Sequence, residues 1–333
     1  MAILVTGGAG YIGSHTVLYL QEKGENVVVL DNLKTGHQDA IQNVTFYKGS
    51  LHDNTLLDRI FQENEIDSVI HFAASSLVGE SVENPLLYYR NNVVGTYHLI
   101  SKMVEYGIKN IVFSSTAATY GNPEQLPILE SNPTNPTNPY GETKLAIEKM
   151  LRWCDDAYGL KSICLRYFNA AGADPSGRIG EDHEPETHLI PIVLQVALGH
   201  RQTVSIFGND YPTDDGTCIR DYIHVLDLAQ AHYLALKRLK SKKESGIYNL
   251  GNGKGFSVKE VIETCRKVTG KELSSKVGPR REGDPAILIA SSKKAKEELD
   301  WEPMYLDLEN IVSHAWEWHS THPVGYEDKR VGE

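Results

Sequence analysis

Tyr140 and Lys144 stand four residues apart in Tyr140-Gly141-Glu142-Thr143-Lys144, after Pro139 and before a helix-forming run, Leu145 to Leu151. On a helix that spacing stacks both side chains on one face. A tyrosine of ordinary pKa, about 10, is a poor base at neutral pH, short by about three units or roughly 4 kcal/mol. A lysine ammonium beside it stabilises the phenolate, and the charge of a bound oxidised nicotinamide adds to that effect. A Tyr/Lys pair also arises by chance on many protein surfaces, so its meaning depends on what else the chain carries.

What else it carries begins at the N-terminus. Ile3-Leu4-Val5-Thr6-Gly7-Gly8-Ala9-Gly10-Tyr11-Ile12-Gly13 reads as a short buried strand, a glycine turn and the opening of a helix. Glycine suits unusual backbone dihedrals and lets a pyrophosphate approach the main chain without meeting a Cβ. The following helix points its free N–H groups at that phosphate. Such a turn alone is weak evidence. Here a strand precedes it, an amphipathic helix follows (Val17, Leu18, Leu20), and an acid, Asp31, closes the apolar run Val27-Val28-Val29-Leu30. Asp31 can accept hydrogen bonds from the adenosine ribose hydroxyls and repels a 2′-phosphate, which favours NAD over NADP. Lys34, three residues on, softens that repulsion.

The elements that must position these groups alternate along the first half. Val44 to Lys48, Ser68 to Ala73, Asn110 to Ser115 and Ser162 to Phe168 have the pattern of buried strands. Helical patterns lie between them, around Asp53 to Asn64, Pro85 to Tyr106 and Tyr140 to Asp156. Apolar strands alternating with helices specify a parallel sheet covered on both faces. The expected fold is α/β, a doubly wound Rossmann-like sheet over residues 1–170, with a smaller α/β substrate-binding domain over 171–333 from which some segments return to the first. Gly172 to Glu186 reads as loop. Strand-like Thr203 to Phe207 and helices near Val225 to Leu239 and Val258 to Val268 follow, and the polar stretch Thr321 to Glu333 is expected to fray.

Composition narrows the function classes. The 333 residues fit about two domains, and 41 % hydrophobic with 23 % charged residues is an ordinary globular balance. A net charge of −11 argues against a nucleic-acid-binding surface. No apolar run approaches the ~18 residues of a membrane span, and a strand at the N-terminus leaves no space for a signal peptide. Cys154, Cys164, Cys218 and Cys265 are scattered without disulfide or metal spacing, consistent with a reduced cytoplasmic compartment. The thirteen histidines include Glu181-Asp182-His183-Glu184 and the pair His314 and His319, neither with the spacing of a known ligand set, so no metal is expected.

The glycine turn, the Ser/Thr-bearing strand end and Tyr-x-x-x-Lys together resemble the extended short-chain dehydrogenase/reductase superfamily. Further segments narrow the resemblance: Phe113-Ser114-Ser115-Thr116-Ala117-Ala118-Thr119-Tyr120-Gly121, Arg166-Tyr167-Phe168-Asn169, Ile206-Phe207-Gly208-Asn209-Asp210-Tyr211, Arg220-Asp221-Tyr222-Ile223-His224 and Arg280-Arg281-Glu282-Gly283-Asp284. Across nearly the whole chain they are similar to the UDP-glucose 4-epimerase (UDP-galactose 4-epimerase) family. The resemblance implies that Tyr140 takes the proton of the sugar 4-hydroxyl while hydride passes to NAD, that the tethered 4-keto sugar turns over, and that hydride returns to its other face. Lys144 and Thr116 complete the catalytic group, Thr116 standing where the family usually has serine.

By the same resemblance, Gly7, Gly10, Tyr11, Ile12, Gly13, Asp31 and Asn32 hold the adenosine diphosphate half of NAD, with Ser50 and Leu51 near adenine. Phe72, Ala73, Ala74, Ser76 and Asn91 follow along the cofactor, and Tyr140, Lys144 and Tyr167 lie at its nicotinamide end. Ser50 stands where an aspartate is common, and Ser76 where some relatives have lysine. Arg220 and Arg281 hold the UDP diphosphate, since guanidinium forks match phosphate oxygens. Asn169, His188, Leu189, Phe207 and Asp284 line the nucleotide, Phe207 near uracil. Leu288 falls at the family's gate on the hexose pocket.

The rival readings are a 4-epimerase of another UDP-sugar (N-acetylhexosamine, pentose or uronic acid), a nucleotide-sugar dehydratase, an NAD-binding redox regulator and a plain alcohol dehydrogenase. A dehydratase places Asp-Glu after the strand-end threonine, where this chain has Ala117-Ala118. A regulator has no need of Tyr140 and Lys144. A homodimer is implied through the helices beginning near Pro85 and Tyr140, the first of which is apolar on more than one side (Leu86, Leu87, Val93, Val94, Leu99, Ile100, Met103).

Overall fold

The computed structural model describes residues 1–281 and 284–326. Glu282 and Gly283 of the Arg280–Asp284 motif, and positions 327–333 of the polar tail, lie outside the described residues. Six strands, β1 (Ala2–Thr6), β2 (Val27–Asp31), β3 (Thr45–Lys48), β4 (Ile66–His71), β5 (Asn110–Ser114) and β6 (Lys161–Tyr167), are joined by a seventh, Gly246–Leu250, from far along the chain. All pair in parallel, and the order across the sheet is β3-β2-β1-β4-β5-β6 followed by Gly246–Leu250. The order therefore reverses between β1 and β4, the switch point at which doubly wound sheets open a crevice at the carboxyl ends of their strands.

Apolar runs form these strands because both faces are covered. Ile3, Val5, Val29, Ile70, Val112 and Ile163 pack with Val17 and Leu20 of the first helix and with Leu228, Leu236 and Leu239 of the helix Val225–Lys242. Their neighbours in the alternation, Leu4, Val28, Val69, Ile111 and Phe113, face Leu57, Leu99, Met103, Ile147 and Leu151 on the other side. The expected strands and helices of this half are present within a few residues of their expected ends. Along Pro85–Glu105 the middle section, Tyr89–Val94, is wound as π-helix rather than α-helix, a local insertion that often sits at functional sites.

The remaining chain builds a second core from the helices Leu189–Ala197, Val258–Thr269 and Leu308–Thr321. Its strands are short: Val204–Phe207 beside Ser275–Gly278, Asn169–Ala171 beside Tyr222–His224, and Ile219–Arg220 between Phe256–Ser257 and Ile287–Leu288. Among the described residues no helix is long and apolar enough to cross a membrane, and all four cysteines are free.

Candidate active site

The turn after β1 shows which glycines the fold needs and which it does not. Gly7 has φ +74°, and a Cβ there would lie 2.5 Å from the Ala73 backbone nitrogen. A Cβ on Gly13 would lie 2.1 Å from the Gly7 carbonyl oxygen. Both allow the first helix to press against the strand ends. Gly10 is different: its φ is −77°, and the nearest atom to a Cβ would be 3.5 Å away. Nothing inside the protein requires glycine there, whereas a phosphate approaching the main chain does. The helix starting at Tyr11 has no side-chain cap and no acid in its first turn, so its leading N–H groups and dipole remain for an anion. The residues thus fit a dinucleotide.

Asp31 ends β2 beside this turn. Its carboxylate accepts from Ala9 N at 3.0 Å and Leu33 N at 2.9 Å. Burial raises its pKa, and those N–H groups oppose the rise. Across the crevice, Phe72, Ala73 and Ala74 leave β4 half-buried, Ser76 is exposed, and Leu51 is buried above Gly49 and Ser50. Ser50 Oγ accepts from His52 N at 3.3 Å, and the exposed Asn32 accepts from Lys34 N at 2.9 Å. Asn91 Nδ2 donates to Ser75 Oγ at 2.8 Å. Its buried neighbour Asn92 does more: its oxygen accepts from Ser75 N at 2.8 Å, and its Nδ2 reaches Ser75 O and Thr143 Oγ1, each at 3.1 Å. Asn92 thereby ties the β4 loop to the helix of Tyr140, a role the sequence reading did not find.

That helix, Pro139–Tyr158, begins where it must. Pro139 occupies its first turn, the Asn138 side chain accepts from Gly141 N at 2.9 Å, and Gly159 ends it at φ +65°. A Cβ on Gly141 would lie 2.7 Å from Ala118 O. Glycine at 141 therefore lets the helix start close to the Thr116 segment. Lys144 is 3 % exposed, and its Nζ donates to the Ser114 carbonyl at 2.7 Å, at the end of β5. The same Nζ lies 5.9 Å from the Tyr140 ring centre. Burial pushes the Tyr140 phenol up to about 12, with the Thr116 hydroxyl pulling it down. Burial also pulls Lys144 down to about 7, opposed by Glu148. Thr116 itself is buried, and its hydroxyl accepts from Ala118 N at 3.1 Å. Tyr167 closes the base of the group, its hydroxyl 2.5 Å from Ser114 Oγ.

One helical turn past Lys144 lies Glu148, also missed from sequence although Tyr140, Lys144 and Glu148 keep a spacing of four. Its carboxylate accepts from Ser115 Oγ at 2.5 Å and takes both Arg166 Nε, at 2.9 Å, and Arg166 Nη2, at 2.5 Å. A buried fork of this kind fixes the helix against β5 and β6, and removing one partner would strand a charge.

The substrate-side residues come from separate short strands. Arg220 Nη2 donates to Asp284 Oδ1, and Arg220 Nη1 to Ile219 O at 2.8 Å. The Arg281 guanidinium lies 4.1 Å from the centre of the Phe207 ring, itself 38 % exposed. Asn169 Nδ2 donates to Asp221 O at 3.0 Å. Leu288 pairs in register with Arg220 and packs on Ala117, Tyr120 and Ile128 beside Phe168, which brings it next to the Thr116 segment. His188 caps the helix Leu189–Ala197, with its Nδ1 hydrogen-bonded to Glu181. Burial works against its charge, but Glu181 raises its pKa to about 9. Asp221, fully buried and missed from sequence, accepts from Asn252 N at 2.7 Å and Ala290 N at 3.2 Å, gathering three chain segments behind Arg220.

A parallel sheet with a phosphate turn at its switch point, and a Tyr/Lys pair with its lysine buried against the end of an adjacent strand, defines a dinucleotide-dependent enzyme of Rossmann type. Residues 3–251 match the model of the NAD dependent epimerase/dehydratase family. The chain is 68 % identical over 326 residues to a UDP-glucose 4-epimerase of Halalkalibacterium halodurans, covering 98 % of each. Its fold superposes on a UDP-glucose 4-epimerase from Brucella ovis in complex with NAD at a TM-score of 0.93 and 47 % identity, covering 95 % of this chain and 97 % of the other. It does so on one from Bifidobacterium longum in complex with NAD+ and UDP at 0.92 and 40 %, covering 98 % and 100 %. The chain belongs to the NAD dependent epimerase/dehydratase family.

Proposed function

We propose that this enzyme interconverts UDP-galactose and UDP-glucose through transient oxidation at the sugar C4. The observation that carries the reading is the half-buried Tyr140 beside Thr116, with the buried Lys144 four residues on, in a fold whose first turn is shaped for a dinucleotide. NAD, held by the glycine turn, Asp31 and the first helix, supplies a reversible hydride acceptor when bound. Tyr140 takes the proton from the sugar 4-hydroxyl and later returns one to the same oxygen. Lys144 supplies positive charge near the phenol and holds the cofactor ribose. The Thr116 hydroxyl, able both to donate and to accept, orients the sugar oxygen.

Arg220 and Arg281 hold the diphosphate, and Phe207 offers a ring face to uracil. Asn169, His188, Leu189 and Asp284 line the nucleotide, and Leu288 bounds the hexose. UDP therefore acts as a tether about which the 4-keto sugar turns. The exposed apolar residues Leu86, Tyr89, Val94, Tyr97 and Trp153 on the helices Pro85–Glu105 and Pro139–Tyr158 support a homodimer, and the free cysteines a cytoplasmic setting.

The test is incubation of the purified protein with UDP-galactose and no added NAD, scored for UDP-glucose. Conversion is expected, because the cofactor stays with the protein. Folded protein with NAD present and no conversion would overturn the reading.

A further inference from the structure

Residues 181–188, Glu181-Asp182-His183-Glu184-Pro185-Glu186-Thr187-His188, belong to no helix or strand, yet they fold four potential ligand groups onto one point. One ligand atom from each of Glu181, His183, Glu186 and His188 can be chosen so that all four lie within 4.8 Å of one another. His183 Nδ1 is 3.2 Å from Glu181 Oε1 and 3.9 Å from Glu186 Oε2. His188 Nδ1 contacts Glu181 Oε1 and lies 3.7 Å from Glu186 Oε1. We propose that these four side chains form a binding site for one divalent transition-metal ion of the zinc type, closing the loop before the helix Leu189–Ala197 on itself.

Three features carry the assignment. Both carboxylate side chains are only 3 % exposed, and among the described residues their ion-pair partners are these two histidines, with neither lysine nor arginine. Two buried carboxylates side by side repel one another unless cationic groups stand between them. A divalent cation would neutralise both. The donor set is also selective. Two imidazole nitrogens with two carboxylate oxygens suit zinc-type ions, whereas calcium and magnesium prefer oxygen alone.

The surroundings hold the ligands in place, as an outer shell does around an ion. Glu186 Oε1 accepts from Thr187 N at 2.7 Å and His188 N at 2.8 Å. The Glu181 carbonyl accepts from Trp318 Nε1 at 3.2 Å. The His183 ring meets Tyr11 edge-on, with centres 6.1 Å apart, and the Tyr11 hydroxyl donates to Gly172 O at 2.6 Å. An ion here would therefore stiffen a loop that already contacts Tyr11 and Trp318.

The test uses the full-length untagged protein, stripped with a chelator that is then removed, and titrated with Co2+ alone. Equilibrium dialysis should give one tight equivalent, with the visible absorption of a four-coordinate Co2+ site. His183→Ala and Glu186→Gln should each weaken binding at least tenfold, while His98→Ala, distant from the cluster, should not. Equal affinity in the parent and these variants, or no bound equivalent in the parent, would overturn the site. Because either variant can compromise folding, Co2+ is also soaked into crystals of the parent. Anomalous density between the four side chains supports the proposal, and density only elsewhere refutes it. Both measurements read metal alone, so failure of the epimerase assay does not affect them.

Discussion

The turn after β1 and the wall around Arg220 both meet a phosphate in the proposed reaction, but they do so with different materials. The turn uses backbone: N–H groups at a helix start, a glycine with nothing inside the protein to explain it, and strands whose register is locked on both faces by core. The wall uses side chains on strands two to four residues long, and each cation already has a partner. Arg220 is engaged by Asp284, Arg280 by Asp210 at 2.7 Å, and Arg281 lies on Phe207. The first site is ready before its ligand arrives. The second keeps N–H donors to spare, but a phosphate arriving there meets the Asp284 carboxylate that already engages Arg220.

Tyr140 sits between the two, and the largest effect is expected from it. Tyr140→Phe should lower kcat by about 10²–10⁴, the usual worth of a positioned general acid–base group. NAD and UDP should still bind, because the ring stays. Near-parental turnover in this variant would remove Tyr140 from the chemistry. Burial holds the phenol at about 12 and brings Lys144 down to about 7 in the cofactor-free protein, so near neutral pH the tyrosine is protonated and the lysine carries only part of its charge. Activation of the tyrosine therefore depends on positive charge added to the site, which the dinucleotide side supplies.

The glycines separate fold from ligand within the preformed site. Gly7→Ala meets both a left-handed φ and the Ala73 backbone, so a loss of several kcal/mol in stability is expected. Gly10→Ala should leave the melting of NAD-free protein nearly unchanged while weakening NAD binding tenfold or more. If Gly10→Ala destabilises the NAD-free protein as strongly as Gly7→Ala, the turn is shaped for packing and not for phosphate.

Much of this side was legible in sequence because its signals are local: strand, glycine spacing, an acid at the next strand end, and a four-residue step on one helix. The departures are instructive. Asn92 is not legible because its partners Ser75 and Thr143 lie 17 and 51 residues away in the chain. Glu148 and Arg166 are eighteen residues apart and meet only once β6 is laid beside the helix Pro139–Tyr158. Asp221 looks like one more charged residue in a motif until its N–H donors arrive from residues 252 and 290. The 181–188 stretch matches no regular ligand spacing, since an irregular loop and not a helix face brings its four groups together. Long-range assembly leaves no periodic trace.

Lys144 yields a stability test with a definite sign. Its folded pKa, about 7, lies below the unfolded value of about 10.4. The unfolded chain thus binds more protons between those values, and its contribution makes stability rise with pH through that window. Lys144→Met should remove this slope. In NAD-free protein it should also raise the unfolding free energy measured in urea at pH 7 and below, by up to a few kcal/mol, offset by the lost bond to Ser114 O. Parallel pH profiles for parent and variant would show that the lysine is not desolvated as described.

On the self-paired wall the effects are smaller and fall on binding. Arg281→Ala and Arg220→Ala should each raise KM for UDP-sugar by about 10–100-fold, as for loss of a charged hydrogen bond, with less change in kcat. Asp284→Asn weakens the pair with Arg220 and so tests that competition directly. It should make the guanidinium more available and, by removing a negative charge beside the diphosphate, increase the salt dependence of UDP binding. An Arg281→Ala protein with unchanged UDP affinity would contradict the assignment.

The smallest effect concerns which sugars fit. Leu288 is pinned at its backbone, since its carbonyl accepts from Asp221 N at 3.1 Å and its strand pairs with Ile219–Arg220. Its side chain is therefore the adjustable part of the wall that it forms with Ala117, Tyr120 and Ile128. An acetamido group brings extra bulk and two polar groups that an apolar surface leaves unpaired. UDP-glucose and UDP-galactose should accordingly be preferred, with UDP-N-acetylgalactosamine a poor substrate. Leu288→Cys removes about two heavy atoms from the wall without disturbing its backbone. A pocket methylene is worth about 1–3 kcal/mol in discrimination, so kcat/KM for the acetylated sugar relative to the plain one should rise about tenfold. The comparison must be made as a ratio within each protein, because any general loss of activity then cancels. Equal ratios in parent and variant would show that Leu288 does not bound the hexose at its acetamido position, and would move the gate to another part of the wall.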